Sequence, residues 1–216
     1  MLRNRRLFSA RRPVGFTLAE LLVALTVSSI ILAAVAALAY AVGSANDSTD
    51  DTERKQAQVR YTTLRVSELI RHCKLICFAG SDDFAVWSGD ENGDNQINSS
   101  ELVCIERTAA GESLRLCDFP VIGGFDPVID LGDIGSCSSS WWLGLGLSIR
   151  RTTLIGECSN VEFSFDVLPP LTRFVNISFG LFENGISRQY QVSGYVRGWG
   201  GNLLNDAGDS LVSDDD

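Results

Sequence analysis

The chain is predicted to fold as α+β: a long N-terminal helix, one half transmembrane and one half amphipathic, packed on an antiparallel β-sheet. Three observations carry this. Leu21–Val42 is a 22-residue run with no charge, proline or glycine. Thr52–Cys77 repeats its apolar residues at helical spacing. Beyond Phe78 the period shortens to two, and the last pair of strands flanks Asn184-Gly185.

A helix of 22 residues is about 33 Å long, against about 30 Å for a bilayer's hydrocarbon core. The run is preceded by Gly15-Phe16-Thr17-Leu18-Ala19-Glu20 and by a leader, Met1–Gly15, with five arginines and no acid. Three readings compete. A secretory signal has a basic start and a small-x-small cleavage site such as Ala37-Leu38-Ala39. Its apolar segment is usually shorter, however, and carries no acid at its head. A plain membrane anchor is the second reading. The third treats the segment as a unit. Gly15-Phe16-Thr17-Leu18-Ala19-Glu20-Leu21 resembles the processing signature of type IV prepilins and the pseudopilins of type II secretion. This resemblance is specific and covers about the first 45 residues.

The resemblance implies that a prepilin peptidase cuts between Gly15 and Phe16 and that Phe16 is then N-methylated. It implies that Glu20 meets the N-terminal amine of a neighbouring subunit during assembly. A small residue before the scissile bond lets a peptidase approach the backbone. A carboxylate in a membrane helix is costly and calls for a function; the plain alternative is an acid reaching back to the interface. Ala24, Ser28, Ala33, Ala34, Ala36, Ala37 and Ala39 are small enough for close helix–helix packing.

Gly43–Asp51 is polar and rich in capping residues, and reads as a kink or short loop. The pilin resemblance argues instead that the helix continues. In the following stretch Val59, Val66, Leu69, Ile70, Cys73, Ile76 and Cys77 share one face. His72 beside them has no second ligand or nucleophile and reads as structural.

Phe84–Trp87, Leu102–Ile105 and Ser113–Cys117 read as short strands, and Pro120–Ser140 as a long loop. Trp141-Trp142 opens a further strand or caps the core edge. Val161–Val167 and Val175–Leu181 alternate, and Arg188–Arg197 returns as the hairpin partner. The expected organisation is a cleaved leader over 1–15, a transmembrane helix over 16–42 and an amphipathic helix over 43–77. An antiparallel β domain over 78–200 and an acidic flexible tail over 201–216 follow. This layout resembles the pilin fold, and most closely the larger minor pseudopilins of the J class or the W-type minor pilins.

The net charge is −9, and loss of the leader takes it to −14. The positive-inside rule then places the leader in the cytoplasm and the acidic domain across the membrane, in the periplasm. An acidic domain is also unsuited to gripping nucleic acid, whose phosphates need cations. Cys73, Cys77, Cys104, Cys117, Cys137 and Cys158 all lie beyond the membrane run. In an oxidising compartment they allow up to three disulfides, with the connectivity open. Zinc is the other option, but there is no Cys-x-x-Cys and only one histidine. Cys73 and Cys77, four apart on the expected helix, are poorly placed to bond each other.

Asp90–Glu101 has the spacing of a twelve-residue calcium loop: Asp90, Asn92, Asp94, the Gln96 carbonyl and a closing Glu101 supply hard oxygens. Ile97 is the apolar anchor at the eighth position, and Asn98 at the ninth acts through water. The sixth position, usually glycine, is Asn95, which tolerates positive φ. The segment resembles EF-hand and dockerin loops, set here between strands, and implies structural calcium. The competing reading is a polar hairpin tip.

No serine elbow, phosphate loop or His-Glu-x-x-His is present, so no enzyme is expected. The expected role is a minor structural subunit of a secretion pseudopilus or type IV pilus, held in the inner membrane. Its partners would be the peptidase, other subunits and the assembly platform. The rival is a membrane-tethered exported binding module, such as an adhesin or carbohydrate binder, with Trp141, Trp142 and Trp199 as a stacking platform.

Overall fold

The computed structural model describes residues 15–108, 112–198, 203–206, 208 and 210–212. The leader arginines and Trp199 lie outside the described residues. The chain divides into two compact units, 1–50 and 51–216.

Helix α1 runs Leu18–His72. Within the first unit its described side chains are exposed, and α1 is long and apolar enough to cross a membrane. The polar stretch 43–51 does not break it. Thr49 Oγ1 donates to the Ala45 carbonyl (2.9 Å) and Asn46 Nδ2 to Asp50 Oδ2 (3.2 Å), so these side chains bond along the helix.

Among the described residues the second unit contains two antiparallel sheets where one was expected. The larger has five strands in chain order: β1 Leu75–Ala79, β2 Asp83–Trp87, β3 Leu102–Arg107, β4 Leu114–Asp118 and β5 Arg150–Ile155. The smaller has β6 Cys158–Phe165, β7 Phe174–Glu183 and β8 Ile186–Tyr195. The unit is therefore α+β, as expected.

One apolar cluster joins the two sheets to the helix. Val66 and Ile70 of α1 pack with Phe84, Ile105, Ile177 and Phe179, all fully buried. The approach is close at Gly194 on β8, where a Cβ would come within 3.0 Å of the Ile70 side chain. A second cluster lies on the other face of the five-stranded sheet. There Ala85, Trp87 and Cys104 meet Phe119, Ile129 and Leu147 of the chain between β4 and β5. Strand β2 is consequently buried at all five positions, which explains its unbroken apolar run.

Four boundaries differ from expectation. The helix ends at His72 rather than Cys77, and the Lys74 amide donates to the Trp87 carbonyl (2.8 Å) to start β1. A short continuous apolar run such as Leu75–Ala79 fits a buried strand as well as a helix, and sheet pairing decides between them. β5 was not foreseen because its side chains are mostly exposed and polar. Trp141–Gly144 is a four-residue helix, α2, so of the two expected placements the strand is not formed, and Trp141 and Trp142 pack at the edge of the second cluster. In the expected flexible tail, Leu204 is buried against the second cluster and pairs with Leu211.

The final hairpin follows its sequence. Val175, Ile177, Phe179 and Leu181 are buried, and Glu183 pairs with Ile186 around Asn184 (φ 49°) and Gly185 (φ 81°). Two positive φ values define the tight turn whose twist suits a hairpin.

Candidate functional site

Thr17 precedes the first residue of α1, and Glu20 is the third position inside it. The Thr17 amide and hydroxyl both donate to Glu20 Oε2 (2.9 Å each), and the Glu20 amide donates back to Thr17 Oγ1 (3.2 Å). This is a reciprocal capping box, and the carboxylate also faces the positive end of the helix dipole. Its signal, Thr-x-x-Glu before an apolar run, lies inside the processing motif. Nothing among the described residues lies within 4 Å of where a Cβ on Gly15 would stand, and Phe16 is exposed.

The loop over residues 90–101 joins β2 to β3. Asn95 has φ 55°, the left-handed conformation that a calcium loop needs at its sixth position. Asp90 Oδ1 accepts from the amides of Gly93 (2.7 Å) and Asp94 (3.1 Å). Asp90 Oδ2 receives the Lys74 ammonium at 2.9 Å and the Asn95 amide at 3.3 Å. The Lys74 hydrogen bond holds the Asp90 carboxyl below the usual carboxylate range. Asn92 and Asp94 are linked side chain to side chain (2.7 Å), and Asp94 Oδ1 accepts from the Gln96 amide (2.8 Å).

Glu101 is buried at the far end of the loop. Its Oε2 accepts from the Trp87 indole (2.9 Å) and the Asn98 amide (3.3 Å), and its Oε1 from the Glu91 amide (2.7 Å). Ile97 is 1% exposed and packs in the second cluster.

For calcium, the donor set is all oxygen, and the buried Asn98 Oδ1 makes no hydrogen bond. Lys74 already puts a positive charge against Asp90. The Asp90 and Glu101 oxygens are, however, already taken within the fold by backbone amides, the Lys74 ammonium and the Trp87 indole. The acids themselves are not drawn together: among the described residues no three acid, histidine or cysteine side chains form a metal-holding group.

A residue that sequence reasoning missed anchors this loop. Asp126 accepts from Ser99 Oγ (2.7 Å), the Ser100 amide (2.9 Å) and Ser100 Oγ (2.7 Å). Burial raises the Asp126 pKa, but these bonds outweigh it and leave the carboxyl low. Local sequence holds no signal for it, because the contact spans about 26 residues.

The cysteines form one disulfide, Cys104–Cys137, among the described residues. Cys73, Cys77, Cys117 and Cys158 are free and buried. Burial pushes Cys73 and Cys117 up to about 12, which leaves both as inert thiols at neutral pH. The expectation of up to three bonds is thereby reduced. Cys73 packs in the first cluster and Cys77 in the second, on opposite faces of the sheet, so their separation has a topological cause.

Of the tryptophans proposed as a stacking platform, Trp141 packs against Phe119 (5.8 Å between centroids). Trp142 carries the Arg151 guanidinium over its ring and donates to the Ser139 carbonyl (2.9 Å). Each ring is already engaged within the fold.

A family model described as the prokaryotic N-terminal methylation motif matches residues 15–36. No curated protein and no solved structure matches the chain.

Proposed function

From the type IV prepilin and pseudopilin processing motif that this chain carries at residues 15–36, we infer that it is a structural filament subunit. The motif points to assembly rather than catalysis. The carrying observation is the motif's place: it opens a helix of 55 residues whose first half is bare and apolar. Prepilin peptidase would cut after Gly15, Phe16 would be N-methylated, and Glu20 would guide packing against neighbouring subunits. The precursor would sit in the inner membrane with its leader cytoplasmic and its β domain periplasmic. Size and cysteine content favour a minor subunit of a type II secretion pseudopilus or a type IV pilus. The test is the N-terminus of protein recovered from membranes with and without the peptidase. We expect methylated Phe16 only when the peptidase is present. A chain beginning at Tyr40, or one left uncut at Met1, would refute the assignment.

The loop over residues 90–101 is read as a structural calcium site. Asp90, Asn92, Asp94, the Gln96 carbonyl and Glu101 would hold the ion, which would draw their side chains together and tie β2 to β3. The support is the Asn95 φ, the buried Glu101 and the unbonded Asn98 Oδ1. Glu101→Gln in the detergent-solubilised full chain should weaken calcium binding at least about tenfold, or ~1.4 kcal/mol, by calorimetry. Unchanged affinity would remove Glu101 from the ligand set.

A further inference from the structure

Cys104 on β3 stands directly opposite Cys117 on β4, and both are fully buried. Residues opposite each other on antiparallel strands have Cα atoms about 4.5–5.5 Å apart and project to the same face. That span lies inside the roughly 4.4–6.8 Å that a disulfide accepts. The bond that forms runs instead from Cys104 to Cys137, in the segment between β4 and β5, with Cα atoms 6.4 Å apart. Cys104, Cys117 and Cys137 all pack in the second cluster. Cys104 therefore has two cysteines within bonding range, one bonded to it and one a free thiol.

The other free thiols are placed differently. Cys73 and Cys158 pack in the first cluster, away from this layer. Cys77 shares the second cluster, but β2 lies between its strand and β3, with Ala85 paired to Cys104. Two strand spacings are about 9–10 Å, which is beyond a disulfide's reach. Cys117 is held inactive in the closed fold. Burial pushes its thiol up to about 12, and the Glu106 charge adds to the rise against Arg151 and Arg115. The thiolate, not the thiol, attacks a disulfide. Attack therefore waits for the covering segment to open and admit water, which returns the thiol towards its ordinary value of about 8.5.

We propose that Cys117 is a built-in second partner for Cys104, and that thiol–disulfide exchange between them releases the segment between β4 and β5. The Cys117 thiol first gives its proton to water. Its thiolate attacks Cys104 Sγ, the Cys104–Cys117 bond forms and the Cys104–Cys137 bond breaks. Cys137 leaves as a thiolate and takes up a proton from water. One disulfide is lost and one gained, so no oxidant or reductant is consumed. In the first isomer the segment is fastened covalently over the second cluster. In the second, β3 is stapled to β4, and the segment keeps its polar ties at Asp126 and Asp83. The sheet survives the change, because the new bond joins strands that already pair. The exchange thus works as a latch on the apolar face formed by Ala85, Trp87 and Leu102.

The test maps disulfides in the detergent-solubilised full chain. Free thiols are alkylated in denaturant, the chain is digested at acidic pH without reduction, and the peptides are identified by mass spectrometry. Wild type is first held without added thiol at pH about 8.5, the ordinary cysteine value, in urea below the main unfolding transition. We expect alkylation to move from Cys117 to Cys137 while the number of disulfides per chain stays constant. An unchanged Cys104–Cys137 bond would overturn the exchange. Bonds from Cys104 to Cys73, Cys77 or Cys158 in amounts equal to Cys104–Cys117 would overturn it too, since they mark general scrambling. A second measurement uses Cys137→Ser in a buffer of oxidised glutathione. There Cys104 should be bonded to Cys117, with Cys73, Cys77 and Cys158 alkylated. Cys104 left free, or capped by glutathione, would overturn the pairing. The wild-type measurement decides the matter whether or not that variant folds.

Discussion

Asp83 is a buried acid whose pKa the fold raises. It is 1% exposed and stands opposite Glu106 on β3. Burial pushes its pKa up, and the Glu106 charge adds to the rise. Bonds from Ser136 Oγ (2.8 Å) and the Ser138 amide (3.2 Å) to Oδ2 work the other way without cancelling it. An acid with a raised folded pKa binds its proton more tightly in the native state. Stability should therefore fall as pH rises from the ordinary Asp value of about 3.9 through the folded value. Asp83→Asn retains an acceptor for Ser136 and removes the titration. Urea midpoints at pH 4 and pH 7 should then differ less in the variant than in wild type. An identical pH dependence in both would show that Asp83 is not the group responsible. Nothing in the local sequence marks Asp83, since its burial comes from a partner strand and from a loop about 53 residues away.

Among the elements, α1 and β8 approach each other closely. Their contact at Ile70 and Gly194 leaves no room for a side chain on the strand. Gly194→Ala should cost about 1–3 kcal/mol by overpacking. Ile70→Ala in the same chain should return part of that loss, because it removes the Cγ2 and Cδ1 that crowd the site, although alone it empties a buried position and destabilises. A double-mutant cycle by chemical denaturation measures the coupling. Strictly additive losses would mean that the helix and strand part freely at this point. The apolar stripe of α1 was readable from its period, whereas Gly194 was not. A glycine inside a strand announces close approach without naming what approaches.

In the β unit as a whole, the segment between β4 and β5 closes the second cluster over the five-stranded sheet. It is fastened by the Cys104–Cys137 disulfide, by Asp126 on the 90–101 loop and by Ser136 and Ser138 on Asp83. The disulfide spans 33 residues, for which loop-closure entropy predicts about 3–4 kcal/mol. Replacing both cysteines with alanine should lower stability by about that amount and raise hydrogen exchange over residues 119–149. A loss below about 1 kcal/mol would mean that the polar ties hold the segment alone. This fastening also bears on function. It uses Trp141 and Trp142 to complete the core edge, which weakens the case for a glycan-stacking platform.

The sequence by itself determined what depends on near neighbours. The membrane-length helix, the processing motif, the alternation of β7 and the Asn184-Gly185 turn are each written within a few to about 20 residues. The left-handed Asn95 was legible for the same reason, since a single residue's tolerance of positive φ decides it. Only the tertiary structure decided which cysteines pair, which face of the sheet each one serves, and where α1 stops. It also revealed Lys74, Asp83 and Asp126 as the partners of the polar loops. Those choices depend on which distant strands lie side by side, and pairing energies across a sheet leave no periodic trace in either strand alone.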